Sequence, residues 1–330
     1  MRTCGGELRG ECQPERQWLR AHGRCVAART RRPWLILPRL SSRTPLSTHV
    51  ILLFGQIAFA SLPIAGKLAL ADIPPGVIPL VRTVGGALVF TLWAWRRGTL
   101  AWPKGDIGFI VLCALLGNVL NQELFIHGLA RSTATNAVVI GSTIPVFTVL
   151  IAIVLRRERA RLHRIGGMAI AFAGVAILVG ADDLSTDSDH LLGSLMVLAN
   201  ALAYGSYLVI GKPLAERHDP IAILAYLFIA GTPMVAPIGI AAFANAPALD
   251  VADLAFLAFL IAVPTVAAYA LVQTALKRAE SSLVAAYIYL QPVFAALGTW
   301  LILDEHIGSR TLGCGLIVLF GVWLAARSRA

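Results

Sequence analysis

Charge is scarce in this chain. Only 14% of its 330 residues are Asp, Glu, Lys or Arg, against about 25% in a soluble domain, while 57% are hydrophobic and the mean hydropathy is +0.74. So little polar surface excludes a large water-soluble domain, and at about 20 apolar residues per membrane span ten spans account for most of the length. Cysteine is also sparse. Cys4, Cys12 and Cys25 stand near the amino terminus and Cys113 and Cys314 inside apolar segments. Without paired spacing they imply neither a disulfide framework nor a zinc site. The seven histidines form no HExxH element, so no metal is expected. No GxxxxGK[ST] loop occurs, which argues against direct ATP hydrolysis, and no cofactor is expected.

The formal net charge of +10 belongs mainly to one segment. Residues 1–47 hold ten of the 28 basic residues against Glu7, Glu11 and Glu15, together with four prolines. A tail-bound excess implies no nucleic-acid partner. Three readings of this segment stay open: a disordered basic cytoplasmic tail, an upstream extension from a misassigned start codon, or an organellar targeting peptide, against which the glutamates count.

From Thr48 onward, apolar runs alternate with brief polar breaks. They predict helices at 48–70, 74–95, 106–127, 134–155, 164–181, 191–211, 221–243, 252–275, 281–303 and 310–326. With the amino terminus inside, fourteen loop and terminal Lys and Arg residues fall on the cytoplasmic side, Arg156, Arg157, Arg159, Arg161 and Arg164 among them; only Arg131 and Arg310 fall outside. This bias supports ten spans with both termini cytoplasmic, because one missed helix would invert every later loop. The expected location is the cell inner membrane, with the lipid bilayer as solvent.

The chain repeats itself. An offset of 147 superposes residues 128–176 on 275–323, matching Arg131 with Arg278, Pro145-Val146-Phe147 with Pro292-Val293-Phe294, Glu158 with Glu305, Gly166 with Gly313 and Gly174 with Gly321. At an offset of 145, Ser61, Gly66 and Lys67 match Ser206, Gly211 and Lys212. The expected domains are therefore two five-helix repeats, 48–181 and 191–326. Five is odd, so the second repeat enters the membrane inverted, an architecture that lets two similar halves exchange conformations around one central site. The expected fold class is an all-α membrane protein of ten transmembrane helices in two inverted five-helix repeats.

The paired Pro-Val-Phe runs with Glu158, Gly166, Glu305 and Gly313, together with Arg82, resemble the EamA-type transporters of the drug/metabolite transporter superfamily. The resemblance covers residues 48–326. It implies a ten-helix exporter of metabolites such as amino acids, and it says little about the substrate itself. Pro63, inside the first helix, departs from the pattern and is a candidate kink.

Within the apolar helices a few groups stand out. Arg82 lies near the middle of the second, where an ionised side chain costs about 2.5–3.5 kcal/mol on insertion scales. It is read either as a counter-charge for a substrate carboxylate or as a member of a buried structural pair. Glu123 is the candidate coupling group for a cation or proton, with pairing to Arg82 or Arg131 as the plainer reading. Asn118, Asn121, Gln56, Asn200, Tyr204, Tyr207, Gln273, Tyr287 and Gln291 either line a pocket or hydrogen-bond between helices; Asn118, Tyr204 and Gln291 join Arg82 as substrate-binding candidates. Pro145 and Pro292 are candidate helix breaks at gates, with packing kinks as the alternative. Lys67 is expected to snorkel to the interface, Glu158 and Glu305 to pair in loops or end helices, and Gly166, Gly174, Gly313 and Gly321 to let helices approach closely.

The expected function is secondary transport by alternating access, exporting a small metabolite, with proton exchange as one driving force. Two alternatives from other classes stay open. A membrane-embedded enzyme needs a nucleophile and base, or two carboxylates, at one depth, and neither a GxGD nor a GxSxG segment occurs. A non-transporting scaffold or sensor gives no reason for a buried arginine. Whether the chain acts alone or as a homodimer is open.

Overall fold

The computed structural model describes residues 44–101, 105–132, 134–159, 161–179, 188–295, 297 and 309–326; residues 1–43 of the basic extension lie outside them. Apolar sequence in hydrocarbon has to satisfy its backbone internally, which helices do within one segment, and the described regular structure is all helical. In the first half α1 spans Leu46–Ala69, α2 Val77–Arg96 and α3 Ile107–Arg131. The fourth crossing is divided into α4, Ala134–Gly141, and α5, Ile144–Val154, and α6 spans Leu162–Val179. In the second half α7 is Ser188–Ile210, followed by the short α8 at Lys212–Arg217; α9 is Pro220–Ala244, α10 Val251–Arg278, α11 Ser281–Ala295 and α12 Ser309–Ala326. The result is ten crossings, six of them long and apolar enough to span a membrane by length and composition, with shorter apolar helices supplying the rest.

Local chemistry sets several boundaries. Asp219 caps α9 by accepting from the backbone of Ile221 (3.0 Å) and Ala222 (3.2 Å), with Pro220 in the first turn, where a missing N–H costs nothing. Asp250 and Asp253 form a reciprocal capping box at the start of α10. The two repeat-matched lysines close helix ends. Lys67 Nζ donates to the carbonyls of Leu129 (3.1 Å) and Ser132 (2.8 Å) at the end of α3, and Lys212 Nζ to that of Leu276 (2.6 Å) near the end of α10. Orphan carbonyls and the negative end of a helix dipole both favour a cation there. Lys67 therefore does more than snorkel.

The helix expected over 134–155 is not continuous. Ser142 and Thr143 interrupt it just before Pro145, and their hydroxyls donate to Val138 O (2.8 Å) and Ile140 O (2.6 Å). At the matching place in the second repeat, before Pro292, Tyr287–Leu290 tightens into a 3-10 turn. Pro63, by contrast, lies within an uninterrupted α1. A second matched irregularity was not foreseen: α3 contains a π-helical turn at Leu115–Val119 and α10 one at Ala262–Ala267, again 147 residues apart at their starts.

The packing obeys the repeat. Matched helices touch one another: α2 packs on α9, α6 on α12 and α5 on the first turns of α11. The pairs α3 with α7 and α10 with α1 exchange roles under the same symmetry. Matched partners run antiparallel, as inversion requires. A methyl group placed on Gly76, at the start of α2, would meet Ala242 near the end of α9, and one on Gly86 would fall 2.5 Å from the Phe228 ring nearer its start. In α6 and α12 the approach is of backbone on backbone, with a Cβ on Gly167 lying 2.5 Å from Ala325 N and one on Gly321 2.5 Å from Ala171 N. Gly174 joins this contact against Val318, as its position suggested. Gly166 and Gly313 do not, since a Cβ at either would meet nothing within 4 Å; the close contact falls one residue later on α6, on a different helix face.

Candidate substrate cavity

A cavity lies among α1, α2, α3, α4, the start of α5, α7, α10 and α11. Its frame is symmetric. Lining residues occur in repeat-matched pairs: Phe59 with Tyr204 and Pro63 with Leu208 at the offset of 145, then Gln122 with Tyr269, Phe125 with Val272, Ala137 with Val284, Gly141 with Ile288 and Ile144 with Gln291 at 147. A cavity walled in this way sits on the pseudo-two-fold axis relating the halves. Most of its polar chemistry breaks that symmetry. Arg82, Gln56, Asn121, Ser142 and Asn200 all line it, and their matched positions carry Leu227, Ala201, Ala268, Tyr289 and Gly55.

Arg82 is the one charged side chain among the described lining residues and is 1% exposed. Its Nε donates to Thr265 Oγ1 at 2.8 Å, from the π-helical turn of α10, while its Nη1 has no hydrogen-bond partner among the described residues. No acidic side chain among those residues forms an ion pair with it. The pairing to Glu123 weighed from sequence is therefore not formed. Thr265 is itself anchored, donating to Leu260 O at 2.8 Å across the widened turn. The π-helical turn thus places a hydroxyl where it fixes the guanidinium and leaves one end of it unspent.

The other polar residues are organised in bridges between the repeats. Gln291 Nε2 donates to Gln56 Oε1 (2.7 Å). Asn200 Nδ2 donates to Asn121 Oδ1 (2.7 Å) and Asn121 O (2.6 Å), and Asn121 Nδ2 donates to Tyr269 Oη (2.6 Å). The rings of Phe59, Tyr204 and Tyr269 make an aromatic wall, with centroids 6.5 Å apart for Phe59 and Tyr204 and 5.4 Å for Phe59 and Tyr269. The arrangement offers a cation, amide donors and acceptors, and flat apolar surface.

The sequence candidates divide. Arg82, Tyr204 and Gln291 line the cavity; Asn118 does not. Asn118 is buried behind it, its Oδ1 accepting from Gln122 and, at 3.4 Å, from Thr83. Tyr207 and Gln273 bond to each other (2.6 Å), and Tyr287 Oη meets His49 Nδ1 at 2.5 Å, so these three serve helix contacts. Glu123 is buried but is not a lining residue; His127 Nε2 lies 3.2 Å from its Oε2, at contact distance without hydrogen-bond alignment. Pro145 and Pro292 stand beside lining residues Ile144 and Gln291 and do not line the cavity themselves. Tyr269, Gln122 and Thr265 were missed. Repeat matching carried a signal for them, because Gln122 aligns with Tyr269, and Thr265 aligns with the singled-out Asn118.

Inverted repeats enclosing an axial cavity with discontinuous helices define the membrane-transporter class. Comparison with known proteins agrees. The model of the EamA-like transporter family matches residues 46–180 and again 191–327. An uncharacterized transporter of Archaeoglobus fulgidus is 29% identical over 281 residues, 84% of this chain and 96% of that protein. A probable terminal-alkyne amino-acid exporter of Streptantibioticus cattleyicolor is 28% identical over 253 residues, covering 76% and 83% of the two chains. A crystal structure with 18% identity superposes with a TM-score of 0.72 over 86% of this chain and 97% of that one, which shows a shared fold. The chain belongs to the EamA-like transporter family. It is a multi-pass membrane transporter of a small molecule and not an enzyme.

Proposed function

We propose that this transporter exports small carboxylate-bearing metabolites, amino acids among them, by alternating access. The observation that carries the reading is the Arg82 guanidinium in the cavity wall, charged, held from one side by Thr265 and without a carboxylate partner among the described residues. A buried cation kept without a counter-ion is costly unless a ligand supplies one. Tyr204 and Gln291 give the substrate an aromatic face and an amide, and Asn118 acts behind them by orienting Gln122. The exporter name of the Streptantibioticus relative is consistent with this class. Glu123, beside His127, is the coupling site for a proton or cation. The broken helices at Pro145 and Pro292 are the moving walls, and residues 48–181 and 191–326 are the two units that move. The asymmetry of Lys and Arg between loops supports cytoplasmic termini in the cell inner membrane.

Counterflow in proteoliposomes tests the reading. A labelled amino-acid panel is offered to the intact protein and to Arg82→Ala at matched reconstitution. Exchange of one or more members by the intact protein, lost in the folded variant, is the expected result. Undiminished exchange by the variant would remove Arg82 as the anchor, and no exchange of any panel member would remove the substrate class.

A further inference from the structure

The loop between α5 and α6 reaches across to the opposite repeat. Just beyond the end of α5 and its cap at Leu155, Arg156 has a φ of 54°, which places a non-glycine residue in the left-handed region. Arg156 N donates to Ile153 O (2.9 Å) and Arg157 N to Ala152 O (2.7 Å), the pattern of a Schellman helix end, which glycine usually fills. This turn delivers Glu158 to the start of α11. There Glu158 Oε1 accepts from Ser282 N (3.2 Å), and its Oε2 accepts from Ser282 Oγ and from Arg164 Nη1 (3.3 Å). Arg164 Nη1 also bonds Glu280 and Ser282, and Arg161 lies 3.8 Å from Glu280. Residues Glu158, Arg161 and Arg164 come from the first repeat, and Glu280 and Ser282 from the second.

This cluster lies directly beneath the cavity. Ser281, next to Ser282, donates to the carbonyl of Leu208 at 2.7 Å, and Leu208 lines the cavity together with Val284, one turn along α11. The first turns of α11 thus form part of the cavity wall at this end, and the 3-10 turn before Pro292 separates them from the rest of the helix. Glu158 matches Glu305 at the offset of 147, but the positions matching Arg164 and Glu280 are Thr311 and Thr133, so the pairing of Arg164 with Glu280 is not repeated in the other orientation.

We propose that Arg164, with Glu158, Glu280 and Ser282, is an ionic latch that holds α11 against the first repeat, keeps the cavity shut at this end and biases the transporter toward the conformation described. The inference rests on the alternating-access reading but not on any substrate. Burial holds the Glu158 carboxyl above its ordinary range, with Glu280 adding to the rise and Ser282 and Arg164 opposing it.

Accessibility tests it without transport. In a full-length background with all five cysteines replaced, Val284→Cys reports whether a membrane-impermeant thiol reagent reaches the cavity from the latch end, in vesicles of known orientation. Losing a charge-assisted bond of ordinary strength shifts the open population by about tenfold. Labelling from the latch end is therefore expected to rise about that much in Arg164→Gln, with labelling from the opposite end falling. The same direction is expected in Ser282→Ala, which leaves every charge in place and guards against misfolding of the first variant. Unchanged rates from both ends in both variants would overturn the latch while leaving the Arg82 reading intact. Loss of counterflow selectivity with a responsive latch would do the reverse.

Discussion

Replacing Arg82 with methionine separates a functional arginine from a structural one. Methionine keeps the stem that packs in the cavity wall and removes the charge. Two stability terms then oppose each other. The Nε bond to Thr265, a charged hydrogen bond, contributes about 1.5–3 kcal/mol. Removing an ionised side chain from hydrocarbon depth recovers about 2.5–3.5 kcal/mol on insertion scales. Thr265 keeps its own bond to Leu260 O, so the substitution strands no donor there. The two terms nearly cancel, and the fold should change stability by no more than about 1–2 kcal/mol. Substrate binding has no such compensation. Truncating one partner of a buried charge pair costs about 2–5 kcal/mol, or about thirty- to several-thousand-fold in affinity. The assay pairs thermal unfolding in detergent with half-saturation of counterflow in liposomes. The expected outcome is a small change in melting temperature with saturation lost. A melting temperature lower by about 10 °C or more, with unchanged half-saturation in the surviving protein, would make Arg82 a helix tether and refute the reasoning.

Further outcomes follow from the packing and the titratable groups. Gly167→Ala puts a methyl 2.5 Å from Ala325 N and 2.6 Å from Gly321 O, backbone atoms that have no rotamer to yield; it should cost about 1–3 kcal/mol. Gly166→Ala, with open space, should be neutral within about 0.5 kcal/mol, and the fraction of monodisperse protein after heating distinguishes them. Glu123→Gln should preserve substrate exchange and abolish accumulation driven by a pH gradient, since exchange needs no net coupling. Loss of both activities together would make the residue structural. Because the carboxyl of Glu158 is raised in the latched state, that state is favoured below the raised value and loses this advantage as pH rises through it. Arg164, Glu280 and Lys212 are the charged groups that act with it. The ratio of Val284→Cys labelling from the latch end to labelling from the opposite end, in which the thiol's own ionisation cancels, should therefore fall on acidification, and Glu158→Gln should flatten that dependence.

Much of the architecture was legible because the bilayer allows few solutions. Apolar length announced the crossings, basic residues announced the loops, and one register of Pro145 with Pro292 announced the inverted halves. The site was legible where burial is expensive: an arginine inside an apolar run signals a use, and Arg82 was found at the cavity. Amides and tyrosines carry no such signal, because a polar group in a helix hydrogen-bonds equally well to a neighbour or to a ligand. Asn118 and Asn121 differ by three residues, yet Asn121 faces the cavity and Asn118 faces Gly231.

What the sequence determined by itself was the number of crossings, their inversion and the buried cation, each a consequence of composition and periodicity acting through the solvation energy of single groups. Only the tertiary structure decided which face of each helix meets the axis. The widened turns at Leu115–Val119 and Ala262–Ala267 shift that phase part-way along α3 and α10. They bring Tyr269 to the cavity and Thr265 to Arg82 while turning Asn118 away. The meeting of Glu158 with Ser282 is of the same kind. The residues lie 124 positions apart, and no local pattern specifies a contact that exists only when two halves close on one another.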